Sequence, residues 1–157
     1  MKIKLITIGK TDKNYLIEGI KEYQNRLKHY INFQFIIIQD IKNTKKLNPE
    51  TQKKLEGNLI LKNIEKSDFL ILLDENGKQY SSVNFAKFIE KQMITSQKSL
   101  VFVIGGPYGF SDEVYEKANQ KISLSLMTFS HQIIRLIFIE QLYRAFTIIK
   151  GEPYHHL

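Results

Sequence analysis

Apolar and polar positions change their period repeatedly along the 157-residue chain, from runs typical of buried strands to spacings typical of helices. Short runs rich in Ile, Val, Leu and Phe predict β-strands over residues 2–8, 33–39, 69–73, 100–104 and 122–126. Such continuous apolar runs are typical of parallel strands that are covered on both faces. We therefore predict a sheet that consists mainly of parallel strands.

Helical spacing fills the segments between these runs. The first predicted helix has its N-cap at Asp12 and one apolar face, formed by Leu16, Ile20, Tyr23 and Leu27. Further helices are predicted to begin near Asn48-Pro49, after Ser81-Ser82 and at Ser111. Strands that alternate with helices predict an α/β fold, with helices on both faces of the sheet, in a single domain that spans residues 1–157.

The last predicted helix, over residues 133–149, has the sequence IIRLIFIEQLYRAFTII and is apolar nearly all the way round. One side of such a helix can pack on the sheet, but the opposite side also needs cover. A second copy of the chain would supply that cover, so we predict a two-fold homodimer through this helix. The alternative is a helix that lies wholly inside the domain.

Composition excludes several classes of protein. The chain has no cysteine, which excludes disulfides, thiolate zinc sites and cysteine nucleophiles and fits a cytoplasmic protein. No apolar run reaches the roughly 18 residues that a membrane-spanning helix needs. No spacing of His, Asp and Glu matches a metal site. We therefore expect a cytoplasmic protein with no membrane partner and no metal.

The net charge of +7 is unevenly distributed. Residues 1–70 hold 14 Lys and Arg against 8 Asp and Glu, whereas residues 71–157 hold 9 against 8. An excess of this size on one half favours a polyanionic partner such as nucleic acid. A genome-wide bias toward lysine at solvent-exposed positions would give the same excess, so charge alone leaves both explanations open.

Three predicted strands end in segments of unusual composition: LLDENG at 72–77, IGGPYG at 104–109 and LSLMTFSH at 124–131. Ligands of parallel α/β sheets bind at the carboxyl ends of the strands, where these segments lie. Three glycines within residues 105–109 permit either close approach of a ligand to the backbone or a turn with no ligand. The turn has neither the lysine of a phosphate-binding P-loop nor the G-x-G-x-x-G pattern of a dinucleotide site.

The segment at 126–129, Leu-Met-Thr-Phe, is apolar where an exposed loop is expected to be polar. It either plugs the end of a helix or forms an apolar wall, with free backbone amides, that suits an adenine ring and a sulfonium cofactor. Candidate catalytic side chains nearby are His131 and, one helical turn further on, Arg135. A histidine at the start of a helix is more often a capping or packing residue, so the residues alone leave its role open.

Three regions match the signature regions of a known family in order and spacing: LLDENGKQYSS, VFVIGGPYGF and LSLMTFSHQIIRLIFIEQLYRAFTIIKGEPYHH. Together with the opening KIKLITIGK, they resemble the SPOUT methyltransferases over essentially the whole chain. The resemblance is strongest to members that methylate the ring imide nitrogen of a pseudouridine in large-subunit ribosomal RNA. It implies S-adenosylmethionine as the methyl donor, a C-terminal trefoil knot, a homodimer, and ribosomal RNA, in the large subunit or the assembled ribosome, as the partner.

Matched position by position, the resemblance implies that the cofactor contacts come from Leu73, Gly105, Leu124, Ser125, Leu126, Met127, Thr128 and Phe129. For catalysis we expect a group that stabilises the anion of the imide, with Arg135 as the first choice and His131 as the second. Tyr154 and His155 in the tail are expected to reach the active site of the partner subunit.

Two positions depart from the family pattern. Ser130 stands where proline is common, which is expected to loosen the cofactor loop, and Glu152 stands where histidine is common. Two rival functions also stay open: a ribosome-associated binding protein without enzymatic activity that uses the basic N-terminal half, and a methyltransferase that acts on another RNA.

Overall fold

Five strands place distant parts of the chain side by side. In a computed structural model that describes residues 1–156, these strands are β1 (Lys2–Ile8), β2 (Asn32–Ile38), β3 (Asp68–Gln79), β4 (Ser99–Ile104) and β5 (Gln120–Ser123). They form one sheet in the order β2-β1-β4-β3-β5, and every neighbouring pair is parallel. The predicted parallel sheet is confirmed. Leu157, the last residue of the predicted domain, lies outside the described residues.

Within residues 1–156 the strands are accompanied by five helices and one 3₁₀ turn: α1 (Asn14–Leu27), the turn Thr44–Lys46, α2 (Pro49–Lys62), α3 (Ser82–Ile94), α4 (Asp112–Lys117) and, after the last strand, α5 (Ile133–Ile149). Three of the predicted starts are confirmed, because the side chains of Asn48, Ser81 and Ser111 each accept a hydrogen bond from a backbone N–H in the first turn. The cap predicted at Asp12 is wrong. Lys13 is the N-cap of α1 and gives no side-chain bond, so that helix begins without one.

The helices cover both faces of the sheet, as predicted. On one face, α1, α3 and α5 pack in an aromatic-rich core, where the rings of Phe102 and Phe138 lie 4.7 Å apart. On the other face, α2 and α4 pack through Ile60 and Val114 against Val101 and neighbouring strand residues. Apolar side chains on both sides explain why β4 is buried along its whole length.

Strands β3 and β5 differ from their predicted bounds. β3 continues to Gln79 because it pairs with β5 twice, on either side of an irregularity between Leu73 and Lys78. Gly77 permits the second pairing, since a Cβ at this position would lie 2.6 Å from the backbone of Ile122. β5 ends at Ser123 rather than at residue 126, and residues 124–129 leave the sheet as a loop.

The amino edge of the sheet carries a buried ionic cluster. Asp68 accepts hydrogen bonds from the hydroxyl of Ser99, from the backbone N–H of Glu65 at 2.9 Å, and from Lys4 Nζ at 3.4 Å. Burial by itself raises the pKa of Asp68, but these hydrogen bonds and the charge of Lys4 outweigh it, so the pKa lies below its ordinary value. Both oxygens of this carboxylate therefore have partners.

Helix α5 has the predicted bounds and lies between the sheet and solvent. Phe138, Ile139 and Leu142 are fully buried, whereas Ile133 is exposed and Ile137 is only partly covered. The predicted homodimer through this helix and the trefoil knot both stay predictions. Within residues 1–156, no helix is long and apolar enough to cross a membrane.

Candidate active site

A cavity of about 250 Å³ opens at the carboxyl edge of the sheet. Its walls come from the irregular part of β3 at residues 73–76, the glycine-rich turn after β4, the loop after β5 and the beginning of α5. Six of the residues predicted to contact the cofactor line it: Leu73, Gly105, Leu124, Ser125, Met127 and Phe129. The fold thus brings together three segments that are far apart in the sequence.

Two other predicted cofactor residues, Leu126 and Thr128, lie on the same loop but do not line the cavity. The side chain of Leu126 is 85% exposed. Thr128 donates its hydroxyl to the carboxylate of Glu75 at 3.0 Å, which ties the loop to the irregular part of β3 across the mouth of the cavity. Their roles as cofactor contacts stay predictions.

The backbone of the loop over residues 124–129 is partly fixed from within and partly free. Ser123 donates its hydroxyl to the carbonyl of Ser125, and the N–H of Met127 donates to the hydroxyl of Ser125, both at 2.9 Å. The N–H groups of Leu126, Thr128 and Phe129 have no hydrogen-bond partner within residues 1–156. Unpaired amides beside a cavity are available to a ligand.

The glycine-rich turn after β4 is shaped by contacts on its far side. A Cβ at Gly105 would lie 3.1 Å from the ring of Phe110, and one at Gly106 would collide with the carboxyl of Glu56. Gly109 adopts φ +80°, a conformation that favours glycine, and its N–H donates to the carbonyl of Gly106 at 3.1 Å. The glycines therefore serve the turn and its packing against Phe110 and α2.

Asp74 and Tyr115 form a polar part of the cavity wall. The hydroxyl of Tyr115 donates a short hydrogen bond to Asp74, whose other oxygen accepts from the N–H of Asn76 at 2.8 Å. Burial and the neighbouring carboxylate of Asp74 raise the pKa of Tyr115 well above its ordinary value. Tyr115 therefore stays protonated and fixes α4 to the middle of β3.

His131 lines the cavity immediately before α5. Partial burial lowers the pKa of its imidazole, and the positive charge of Arg135 lowers it further. The ring is therefore held in its neutral form near pH 7. A neutral imidazole at the wall of a cavity can accept a proton.

Arg135 is 1% exposed and does not line the cavity. Its guanidinium donates to the carbonyls of Ile8 and Gly9, both at 2.8 Å, to the hydroxyl of Thr11 at 3.1 Å, and to the carbonyl of His131 at 3.0 Å. Four of its five N–H groups are thereby used. The predicted contact with substrate would require this network to open.

Gln132 adds two further bonds between the same two segments. Its amide donates to the carbonyl of Lys10 at 3.1 Å and accepts from the N–H of Asp12 at 3.0 Å. We call Arg135 and Gln132, with their backbone partners in residues 8–12, the clamp. It fixes the beginning of α5, and with it His131, against the end of β1.

Tyr154 lies away from the cavity of its own chain. Its hydroxyl donates to Glu140 at 2.9 Å and also lies 3.1 Å from the hydroxyl of Tyr23, while its ring packs against Tyr143. Burial and these hydrogen bonds raise its pKa well above the ordinary value. Glu140 is nine residues beyond His131 on α5, about 13 Å along the helix axis at roughly 1.5 Å per residue.

Both positions that depart from the family pattern make local contacts. Ser130 accepts a hydrogen bond from the N–H of Ile133 at 3.2 Å, which fixes the turn before α5. Glu152 accepts from the hydroxyl of Tyr30 at 2.6 Å, and this bond, with burial, raises the pKa of Tyr30 to about 12. The expectation that Ser130 loosens the loop stays a prediction.

Comparison with known proteins shows which family has these segments, which line one cavity here. Residues 1–155 match the model of a family described as "Predicted SPOUT methyltransferase". The chain belongs to the SPOUT methyltransferase family. Curated relatives named ribosomal RNA large subunit methyltransferase H are 63% identical in Christiangramia forsetii, 61% in Parabacteroides distasonis and 60% in Flavobacterium johnsoniae, each over 99% of both chains.

Three elements of this SPOUT methyltransferase site were missed by the sequence analysis: the pair Asp74–Tyr115, the clamp residue Gln132, and Glu56 behind the glycine-rich turn. The acidic residues that follow the predicted strand at 69–73 are a signal that could have indicated Asp74. No local pattern indicates the other two, because Gln132 bonds to Lys10, 122 residues away, and Glu56 meets Gly106 only through the packing of α2.

Proposed function

We propose that this chain transfers the methyl group of S-adenosylmethionine to the ring imide nitrogen of a pseudouridine in large-subunit ribosomal RNA. The observation that carries the proposal is the convergence of six predicted cofactor residues on one cavity in a member of the SPOUT methyltransferase family. The choice of substrate follows the names of the curated relatives and the resemblance of the signature regions.

The residues around the cavity fit S-adenosylmethionine. The side chains of Leu124, Met127 and Phe129 offer an apolar surface for the adenine ring, and the free N–H groups of the same loop can bond to its polar edge. Within the described residues, the acidic groups that line the cavity are Asp74 and Glu75, and no lysine or arginine lines it. This balance favours a positively charged sulfonium.

When bound, S-adenosylmethionine would supply an electrophilic methyl group for in-line displacement, so the protein must mainly orient the nucleophile. The ring nitrogen is a poor nucleophile while it carries its proton. We assign the removal of that proton to His131, because its neutral imidazole lies at the cavity wall. In this role the imidazole of His131 would take up the proton of the ring nitrogen and leave the lone pair of that nitrogen free to react.

We assign Arg135 a positioning role, in place of the contact with the imide anion that was expected from the sequence. Its guanidinium holds the carbonyl of His131 and the end of β1, and its charge helps to keep the imidazole neutral.

A homodimer would place the tail of one chain at the active site of the other. Tyr154 is held by Glu140 and Tyr23 beside the middle of α5, away from its own cavity, and His155 Nδ1 lies 3.2 Å from Arg144. If α5 packs on its two-fold copy through its partly covered side, this tail becomes available to the partner's site. The partly covered Ile137 is consistent with such packing.

Exposed lysines near the carboxyl edge are suited to RNA phosphates. Lys42, Lys45 and Lys46 lie in the connection after β2, beside the same edge as the cavity, and Lys54 is exposed on α2. Lys53 is partly engaged, since it pairs with Glu50 at 3.0 Å. We propose that the first four contact the ribosomal RNA in the bacterial cytoplasm.

The test combines cofactor binding with methylation. Calorimetry should detect S-adenosylmethionine, and large subunits or ribosomes from a strain without the modification should accept the methyl group. The variant His131→Asn should keep cofactor affinity and lose turnover by roughly 10²- to 10⁴-fold, as expected for loss of a general base. His29→Asn, at an exposed position after α1, is the matched control and should keep full turnover.

Each outcome tests one alternative to the proposed function. A folded wild type that does not bind S-adenosylmethionine would support a binding protein without enzymatic activity. Cofactor binding with methylation of a different RNA only would leave the enzyme class in place and overturn the substrate. Normal turnover in His131→Asn would remove His131 as the base.

A further inference from the structure

A buried carboxyl lies behind the glycine-rich turn and does not line the cavity. Glu56 on α2 is 3% exposed. Its Oε1 accepts a hydrogen bond from Gln52 at 3.0 Å, but its Oε2 has no partner within the described residues. Burial of a carboxyl with an unpaired oxygen reduces stability, so its presence points to a role other than stabilising the fold.

The carboxyl of Glu56 occupies the space beside Gly106. A Cβ at Gly106 would stand 2.8 Å from the carboxyl carbon of Glu56 and closer still to Oε2, so any other residue here would displace this carboxyl from its position. The neighbouring Gly105 differs, because its Cβ would meet the ring of Phe110 and not Glu56. Gly106 and Glu56 are thus complementary in shape.

The surroundings favour the neutral form of this carboxyl. Burial raises the pKa of Glu56 and the negative charge of Asp40 raises it further, while the hydrogen bond from Gln52 opposes the shift. Asp40 itself lies over Gly9 at the end of β1, the strand next to β4. Lys53 on the same helix is occupied by Glu50. Glutamine is therefore a close mimic of the neutral side chain.

We propose that Glu56 is a positioning residue for the cofactor, because its carboxyl supports the turn at residues 105–107 that forms one wall of the cavity. All three residues of that turn line the cavity, so a small displacement of the turn changes the surface that meets the ligand. The inference rests on the proposed function, in which this cavity holds S-adenosylmethionine.

A double-mutant cycle on Glu56 and Gly106 tests the inference, with the affinity for S-adenosylmethionine measured by calorimetry. Glu56→Gln should bind within about twofold of the wild type, whereas Glu56→Ala should lose about tenfold. Gly106→Ala alone should also lose about tenfold, equivalent to about 1.4 kcal/mol, because its methyl group pushes against the carboxyl. The double variant Glu56→Ala with Gly106→Ala should recover most of that loss, because the methyl group fills the vacated space.

Gly105→Ala is the matched control, since its methyl group meets Phe110 and should gain nothing from Glu56→Ala. Thermal unfolding of each variant separates a displaced turn from a weakened fold. Additive effects in the cycle, or a Glu56→Gln variant as weak as Glu56→Ala, would overturn the role of Glu56. If Gly106→Ala does not fold, the cofactor affinities of Glu56→Gln and Glu56→Ala still test the role of Glu56. A wild type that does not bind the cofactor would overturn the proposed function instead.

Discussion

Two buried carboxyl groups stand near opposite edges of the same sheet and are partnered in opposite ways. At the amino edge, both oxygens of Asp68 are hydrogen-bonded and Lys4 supplies a positive charge, so its pKa is lowered. At the carboxyl edge, one oxygen of Glu56 has no partner within residues 1–156 and the nearby charge of Asp40 is negative, so its pKa is raised. One arrangement stabilises the charged form of an acid and the other stabilises the neutral form.

The same contrast extends to the surroundings of each group. The carboxyl edge also carries unpaired backbone N–H groups and two highly exposed apolar side chains, Leu126 and Met127. Unsatisfied polar groups and exposed apolar surface both reduce the stability of a free domain. Their concentration at the edge with the cavity indicates that this edge is shaped for ligands, and the satisfied amino edge for stability.

The largest expected effect comes from breaking the amino-edge cluster. Asp68→Asn keeps the shape of the side chain but leaves the buried ammonium of Lys4 without a counter-charge, so the free energy of unfolding should fall by about 3 kcal/mol. Urea unfolding measures the change. Glu65→Gln removes only the exposed partner of Lys4, 3.9 Å away, and should change stability by less than about 0.5 kcal/mol. Equal losses of stability in the two variants would contradict the view that the buried, fully partnered Asp68 stabilises the amino edge.

Arg135 should give the next largest effect, now at the carboxyl edge. Arg135→Lys keeps the charge but cannot hold the carbonyls of Ile8 and Gly9 together, so stability should fall by about 2 kcal/mol. Turnover should fall about tenfold or more, because His131 loses its support, while cofactor affinity should change little. A loss of turnover without any loss of stability would instead favour direct contact of Arg135 with the substrate.

The two carboxyl groups should respond to pH in opposite directions. The folded-state pKa of Asp68 is lowered, so its contribution is present above its ordinary pKa and is lost as pH falls through the folded value. That of Glu56 is raised, so stability is lost as pH rises from the ordinary pKa through the raised one. Each pKa unit of difference between the folded and the unfolded state changes the free energy of unfolding by about 1.4 kcal/mol.

Unfolding of the wild type, Asp68→Asn and Glu56→Gln across pH checks this prediction. Asp68→Asn should flatten the acid side of the profile, and Glu56→Gln should flatten the decline above the ordinary pKa of a glutamate. Identical profiles for Glu56→Gln and the wild type would mean that Glu56 titrates as it does in the unfolded chain.

The smallest expected effect concerns the tie across the mouth of the cavity. Thr128→Val keeps the shape of the side chain but removes the hydrogen bond to Glu75, and should weaken cofactor affinity about two- to fivefold, or about 0.5 to 1 kcal/mol. Stability should hardly change, because both groups are exposed. Thr51→Val, at an exposed position on α2, is the matched control for calorimetry. An equal loss of cofactor affinity in both variants would show that the bond between Thr128 and Glu75 does not support the cofactor site.

Local patterns predicted much of the fold. The apolar runs predicted all five strands, and the side chains of Asn48, Ser81 and Ser111 predicted three helix starts, because caps and strand periods depend on neighbouring residues. The strand ends also predicted the edge at which the cavity lies. These features are encoded over a few residues each.

Features that depend on distant partners were not predicted. The alternation of residues 122–126 is typical of a strand, but only four residues, Gln120–Ser123, pair with β3. The bonds of Arg135 to Ile8 and Gly9 were not predicted, because its spacing from His131 does not reveal them, and its contact with substrate stays a prediction. The role of Gly106 depends on Glu56, which lies 50 positions earlier on α2, and no glycine motif indicates that contact.

The clamp has a consequence for how the chain folds. It joins positions separated by 126 and 127 residues, one of the longest loop closures that a chain of this length can make. Contacts of this separation carry a large entropic cost and form slowly, after local helices and nearer strand pairs. A partly folded chain with α5 undocked therefore lacks the clamp and the α5 side of the cavity. A ligand that binds only the finished cavity slows unfolding and leaves the rate of folding almost unchanged.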